Sequence, residues 1–382
     1  MPKKILIIAG EASGDLHASN LLLELKKQYP DLYAFGLGGE KLKNAGAEIM
    51  TDLTKLAVVG FFEILKNYWK FRRIFYDVLK KTDAVRPDAA ILVDYPGFNL
   101  KLAAELKKRG IKIIYFISPQ VWAWGKKRVD FIRSHIDLML VLFKFEEILY
   151  GGHVEGGFKV RFVGHPLLDA IKPTKSAQEL LDEFGLRRTG RTIALLPGSR
   201  MKEVTQLLPV MLKSAQIIFR KEPQAQFLIC RAPTIPRQIV KDLIDAANID
   251  FPYKVMENET YNGLEASDFA IVASGTATLE TAILNKPMVI VYKTSLLTWF
   301  LARLLIKIPY IGLVNVVAGE KIVPELVQFD ATPRKIASTV LAILGDKQKM
   351  EKIHAELYAL KNTLGIPGAC QRAAEEIAEF LG

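Results

Sequence analysis

Residues 4–15, KILIIAGEASGD, decide the fold. The apolar run 5–9 shows no alternation with polar residues, the pattern of a strand buried on both faces of a parallel sheet. It runs straight into Gly10-Glu11-Ala12-Ser13-Gly14-Asp15, and a helical pattern follows over 18–28. In parallel α/β sheets the loop leaving a strand commonly faces the ligand. Gly10 and Gly14 suit a tight strand-to-helix turn, and Ser13 and Asp15 suit helix caps. Glu11 is the acid least needed for structure, which makes it a candidate for ligand contact.

The same alternation extends along the whole chain. Strands are predicted over 5–9, 33–36, 89–93, 112–117, 138–142 and 161–163, with helices over 18–28, 63–81, 100–109 and 124–134. The second half repeats this, with strands over 192–196, 226–230, 253–256, 269–272 and 288–292. Its helices are predicted over 204–220, 237–247, 276–284 and 333–344. Each half therefore reads as a doubly wound parallel sheet covered on both faces. A length of 382 residues suits two such domains. The boundaries expected are 1–168 for an N-terminal acceptor- and membrane-facing domain, 169–190 for a linker, and 191–345 for a C-terminal nucleotide-binding domain. The last helices, within 346–382, could belong to either half, including by packing back on the N-terminal domain. Two doubly wound domains in series usually face each other across a cleft, but a fold alone gives no chemistry.

The formal net charge of +11 favours anionic partners such as phosphorylated metabolites, an acidic membrane surface or nucleic acid. The two cysteines, Cys230 and Cys370, stand in dissimilar contexts, which argues against a disulfide framework or a zinc site. The run 5–9 is shorter than the ~7–15 residues of a signal-peptide core. No stretch reaches the ~18 apolar residues of a membrane span; 296–308 is interrupted by Arg303 and Lys307. A cytoplasmic protein is expected.

The loops of the second half read as a nucleotide site. The strand 192–196 leads into Pro197-Gly198-Ser199-Arg200, where Gly198 allows close backbone approach and Ser199 and Arg200 offer hydrogen bonds and charge to a phosphate. The alternative is a serine-capped turn. The strand 269–272 leads into Ala273-Ser274-Gly275-Thr276-Ala277-Thr278-Leu279-Glu280. Small residues leave the amides at this helix start uncovered, a ready anion site. Glu280 lies one turn beyond Thr276 and could accept from both ribose hydroxyls; the alternative is a surface glutamate. No G-x-x-x-x-G-K-[ST] and no G-x-G-x-x-G occurs, which argues against P-loop and dinucleotide enzymes. No Asp-x-Asp occurs and the five histidines lack metal-ligand spacing, so no metal is expected and a leaving diphosphate falls to Arg200 and a helix dipole.

The loops of the first half read as an acceptor site. The strand 89–93 ends in Asp94-Tyr95-Pro96-Gly97-Phe98-Asn99. Asp94 could serve as a general base for an alcohol, with Asn99 the better helix cap. Ser118-Pro119-Gln120-Val121-Trp122-Ala123-Trp124 places two tryptophans on a loop, suited to a sugar face, an acyl chain or packing at the domain seam. The stretch 58–81 interleaves Phe61, Phe62, Trp69, Phe71, Phe75 and Tyr76 with Arg72, Arg73 and several lysines, and 296–307 is similar. Aromatic and basic residues together mark a helix on anionic lipid, or a single-stranded nucleic acid site, or a core helix with a basic face; the lipid surface is favoured.

Taken in order, seven motifs resemble the lipid-A-disaccharide synthase family over essentially the whole chain. They are Gly10 to Asp15, Gly36-Leu37-Gly38-Gly39, Asp94 to Asn99, Ser118 to Trp124, Leu196 to Arg200, Ala273 to Glu280, and Leu313-Val314-Asn315-Val316-Val317-Ala318-Gly319. Some members carry a second aspartate where this chain has Gly97, and no catalytic role is assigned there. The resemblance implies the glycosyltransferase-B fold. It implies transfer of 2,3-diacylglucosamine from UDP-2,3-diacylglucosamine to 2,3-diacylglucosamine 1-phosphate (lipid X), inverting and without cofactor or metal. It implies a peripheral enzyme on the cytoplasmic face of an anionic inner membrane, with no nucleic-acid partner; a homodimer is one option. Asp94 is then the first choice of base, with Glu11 and Asp15 as rivals. Arg200 and the amides of 274–276 take the diphosphate, Glu280 the ribose, and Asn315, Glu325 and Gln328 lie near the donor sugar. Ser13, Trp122, Trp124, Phe61, Phe62, Trp69, Arg72 and Arg73 serve acceptor and lipid. The rival enzyme is a UDP-N-acetylglucosamine 2-epimerase, which shares the fold and nucleotide loops but has no use for lipid-facing helices.

Overall fold

A computed structural model describes residues 2–57, 68–124, 127–151, 157–187, 189–295, 299 and 309–382. The chain divides into two compact units, residues 1–169 with 364–382, and residues 170–363.

Unit 1 holds a seven-stranded sheet made of β1 (Lys4–Ala9), β2 (Tyr33–Gly38), β3 (Glu48–Asp52), β4 (Ala89–Val93), β5 (Lys112–Phe116), β6 (Leu138–Val141) and β7 (Lys159–Phe162). The order is β3-β2-β1-β4-β5-β6-β7, with every pairing parallel. Its central strands are buried on both faces; in β4 all of Ala89, Ala90, Ile91, Leu92 and Val93 are fully buried. That is why they read as unbroken apolar runs. β3 escapes sequence reading because it is a half-exposed edge strand, Glu-Ile-Met-Thr-Asp, with no such run.

Unit 2 holds six parallel strands: β8 (Thr192–Leu196), β9 (Gln226–Arg231), β10 (Tyr253–Glu257), β11 (Phe269–Ala273), β12 (Met288–Tyr292) and β13 (Glu325–Val327). The order is β10-β9-β8-β11-β12-β13. The three-residue edge strand β13 is too short to announce itself. Chain direction away from the first strand reverses between β1 and β4 in unit 1, and between β8 and β11 in unit 2. These two switch points are where a doubly wound sheet opens a crevice at its carboxyl edge.

Of residues 169–190, read as a linker, 170–190 are built into unit 2. Thr174 N donates to Asn262 Oδ1 across 2.7 Å, and Arg187 N to Gln226 Oε1 across 2.9 Å. Between them the helix Ala177–Glu183 starts on a reciprocal Ser176–Glu179 capping box. The C-terminal helices part company. Lys347–Thr363 packs on Thr276–Ile283 and Pro333–Leu344, whereas Ala369–Leu381 packs on Ala12–Gln28 in unit 1. Asp169 fixes that return by accepting from Gly368 N across 2.7 Å and from Ala369 N across 3.2 Å. Among the described residues no helix is long and apolar enough to cross a membrane.

Candidate active site

The switch point of unit 2 opens into a cavity of about 520 Å³. Every residue read from sequence as nucleotide-binding lines it: Gly198, Ser199 and Arg200 from the loop after β8, and Ser274, Gly275, Thr276 and Glu280 from the loop and helix after β11. Gly275 makes the second loop possible. Its φ of +150° with ψ of −162° is a conformation open to glycine, and a Cβ there would project into empty space over the helix start. Ser274 Oγ donates to Ile311 O across 2.8 Å, which holds the loop. In the first loop, Glu203 accepts from Ser199 N across 3.4 Å and pairs with the exposed Arg200 at 3.1 Å. Arg200 is thereby held beside the cavity with most of its guanidinium still in solvent.

Glu280 sits deep in the wall, and burial raises its carboxyl above the ordinary range. The Tyr261 hydroxyl donates to its Oε1 across 3.1 Å and opposes that rise. Asn258 enters from the loop after β10, Thr260 and Tyr261 from the start of the helix Thr260–Glu265 that follows, and Cys230, Ala232 and Pro233 from the end of β9. Sequence reading missed these two segments. The segment after β9 follows an apolar strand, whereas β10 is Tyr-Lys-Val-Met-Glu, and neither segment carries a glycine-rich or charged motif.

The switch point of unit 1 presents Glu11 and Asp94. β1 and β4 pair with Ala9 beside Val93, so the two acids leave adjacent strands. Asp94 and Tyr95 both have φ of +48°, two consecutive non-glycine residues in the left-handed region, at a cost of ~1–3 kcal/mol each. Asn99 Nδ2 (2.7 Å) and the Tyr115 hydroxyl (2.6 Å) hold this turn by donating to Asp94 O. Gly10 is required by the same turn, because a Cβ on it would lie 2.3 Å from Cγ of Tyr95. Burial, then the charge of Glu11, push the Asp94 carboxyl up to about 6. A carboxylate with a value so near neutrality suits a general base.

Several expectations need correction. Asp15 is buried and accepts from Gly39 N (2.6 Å), Lys41 N (3.1 Å) and Leu42 N (3.2 Å). It caps the helix Glu40–Asn44 and is removed from the base candidates. The helix Ala12–Gln28 begins at Glu11, so Ser13 is an exposed first-turn residue and not its cap. Asn99 is likewise no cap; it lies inside the helix Pro96–Lys108, fully buried and bonded backward to Val93 O and Asp94 O. Asn315 is fully buried and makes four bonds: to Val323 O and Glu325 Oε1, and from Ile322 N and Val323 N. Glu325 also accepts from Ile311 N and Gly312 N. Gln328 pairs its amide with both backbone groups of Thr294. These three tie loops of unit 2 together and do not line its cavity.

Of the acceptor and lipid residues, Trp69 is 72% exposed, and Arg72 lies over its ring at 5.4 Å. Arg73 reaches toward Asp77 at 3.8 Å on the exposed face. Trp122 meets Phe145 edge-on at 6.0 Å. Phe61, Phe62 and most of 296–308 lie outside the described residues, as does the side chain of Trp124. Among the described residues no group of three or more His, Cys, Asp and Glu is arranged to hold a metal ion.

The family model described as Lipid-A-disaccharide synthetase matches residues 5–379. Over 373 residues the chain is 46% identical to the lipid-A-disaccharide synthase of Syntrophus aciditrophicus, covering 97% of this chain and 96% of that one. Over 379 residues it is 40% identical to that of Geobacter sulfurreducens, covering 99% and 97%. Solved structures share the fold at 14% identity. They include a Neisseria meningitidis UDP-GlcNAc 2-epimerase bound to UDP-GlcNAc (TM-score 0.61; 99% of each chain) and the calicheamicin glycosyltransferase CalG4 (0.62; 100% and 98%). The two parallel-sheet units are thus those of a glycosyltransferase-B fold. The match in family, fold and motif order makes the chain a glycosyltransferase enzyme belonging to the lipid-A-disaccharide synthetase family.

Proposed function

We propose that the chain transfers 2,3-diacylglucosamine from UDP-2,3-diacylglucosamine to 2,3-diacylglucosamine 1-phosphate, giving the β-1,6-linked disaccharide 1-phosphate and UDP. Unit 2 holds the donor and unit 1 the acceptor. The placement of Asp94 carries this reading: a strained, half-buried carboxyl at a switch point, poised near neutrality beside Glu11.

The acceptor 6-hydroxyl gives its proton to Asp94 while its oxygen bonds to the donor anomeric carbon. The bond from that carbon to the diphosphate oxygen breaks on the opposite face, so the centre inverts. Negative charge growing on UDP is met by the amides at the start of the helix Thr276–Ile283 and by Arg200. Glu280, oriented by Tyr261, accepts from the ribose hydroxyls. No step in this scheme uses a metal. Both substrates are acylated, which favours action as a peripheral protein on the cytoplasmic face of an anionic membrane.

The test is transfer in detergent with EDTA present, read by mass spectrometry of the disaccharide 1-phosphate. Product supports both the transfer and its metal independence. A sample that binds UDP yet makes no product from this substrate pair, with or without added magnesium, would overturn the reading and make UDP-GlcNAc epimerisation the next assay.

A further inference from the structure

Unit 1 contains a second cavity, of about 420 Å³, between the helices Tyr68–Val85 and Pro96–Lys108. Helical spacing builds it. Phe71, Arg72, Phe75 and Tyr76 fall at positions i, i+1, i+4 and i+5 and face the same side of the first helix, while Gly97 and Lys101 stand one turn apart on the second. Phe71, Phe75, Tyr95 and Phe98 wall it; Phe75 meets Phe98 edge-on at 5.6 Å, and Tyr95 lies 6.2 Å from Phe98. The volume falls in the ~300–1000 Å³ range of small-molecule sites.

Two features say what it takes. Its charged lining is cationic only, Arg72 and Lys101, both exposed, and among the described residues neither stands in an ion pair. Gly97 leaves room, since a Cβ there would meet nothing within 4 Å. An aromatic-walled pocket with two exposed cations in its lining fits an amphiphile, an apolar chain with an anionic group. A polar metabolite would find few hydrogen-bonding partners on those walls. The cavity also shares Tyr95 with the turn that carries Asp94, which places it next to the candidate base.

We propose that this cavity receives an acyl chain of the phosphorylated acceptor, with Arg72 and Lys101 binding its phosphate. The proposal rests on the acceptor reading above and deepens it by naming the residues that select an acylated, phosphorylated sugar.

The first arm of the test is independent of turnover. The intact protein is titrated calorimetrically with alkyl phosphates from octyl to dodecyl below their micelle thresholds, with inorganic phosphate and dodecyl maltoside as controls. Affinity is expected to rise about fourfold per methylene until the cavity is filled, and both controls should bind at least about tenfold more weakly than dodecyl phosphate. Lys101→Glu should weaken dodecyl phosphate by about tenfold or more, Lys101→Arg should restore it, and Gly97→Leu should weaken the longer chains most. UDP affinity should stay at the wild-type value in all three, which certifies the fold.

The second arm is kinetic. Lys101→Glu and Gly97→Leu should raise KM for the phosphorylated acceptor with donor KM unchanged. Variants that bind dodecyl phosphate like the wild type would overturn the proposal. So would variants that lose only their binding to anionic vesicles while acceptor KM holds, because the cavity would then be a membrane contact. If the wild type transfers to no acylated acceptor yet shows the alkyl-phosphate dependences, the reaction assignment fails and the chain-and-phosphate site stands.

Discussion

The Tyr261 hydroxyl donates to Glu280 Oε1 across 3.1 Å in the wall of the unit 2 cavity, joining the helix after β10 to the helix after β11. The bond favours the charged form of a carboxyl that burial raises above its ordinary range. Tyr261→Phe is expected to weaken UDP by ~3–10-fold. Its loss should grow as pH falls, because the Glu280 carboxyl, already above its ordinary range, rises further without its donor and takes up a proton sooner. UDP titrations over a pH series check this; a parallel shift at every pH would show that Tyr261 acts only by shape.

Asp94→Asn should lose ~10²–10⁴-fold in turnover with UDP affinity unchanged, since a base acts only on the reacting proton. The wild-type acid limb should fall near pH 6, where the carboxylate gains its proton. Glu11→Gln removes the smaller of the two causes and should move that limb to lower pH. An unmoved limb would separate Glu11 from the base.

Asp94→Asn should also make unit 1 more stable. The folded Asp94 titrates at about 6 and the unfolded one at 3.8, so between those values the folded state holds more protons. Stability therefore falls as pH rises through the window, and the deficit persists above it. Asparagine carries no such deficit, and a gain of ~1–3 kcal/mol is expected at neutral pH. Urea midpoints for both proteins decide it.

Glu146 behaves alike beneath the loop that carries Ser118 and Trp122. It is 2% exposed, and burial pushes it up to about 7, opposed by the Phe143 amide that donates to it across 3.2 Å. Glu146→Gln keeps an oxygen for that amide. It should match the wild type below about pH 4.5 and exceed it by about 3 kcal/mol above about pH 7. Equal midpoints at high pH would mean that the carboxylate is solvated.

Asn315→Leu separates a structural role for that residue from one at the donor sugar. It strands two amides, a carbonyl and Glu325 in a fully buried place, so a loss of several kcal/mol is expected, at ~1–3 kcal/mol per group. Full stability with lost turnover would instead return Asn315 to the donor sugar.

What the sequence determined by itself was the layer structure and the loops at the switch points. Strands such as β1, β4 and β11 are buried on both faces, so burial alone dictates unbroken apolar runs, and the residues just beyond them are fixed by chain order. Hence Glu11, Asp94, Gly198 and Gly275 were legible, and so was the cavity built by the last two. The edge strands β3 and β13 were not, because β3 is partly exposed with no apolar run and β13 has only three residues. Tertiary structure alone decided which polar side chains remain available. Asp15, Asn315, Glu325 and Gln328 look in sequence like their neighbours in the motifs, yet their partners are backbone groups and side chains brought near only by folding. Tyr261 comes to Glu280 from a strand three places across the sheet, and Lys101 comes to Phe75 from the next helix. A hydrogen-bonding group is the same in the sequence whether it meets a ligand or a buried amide; the packing around it makes the choice.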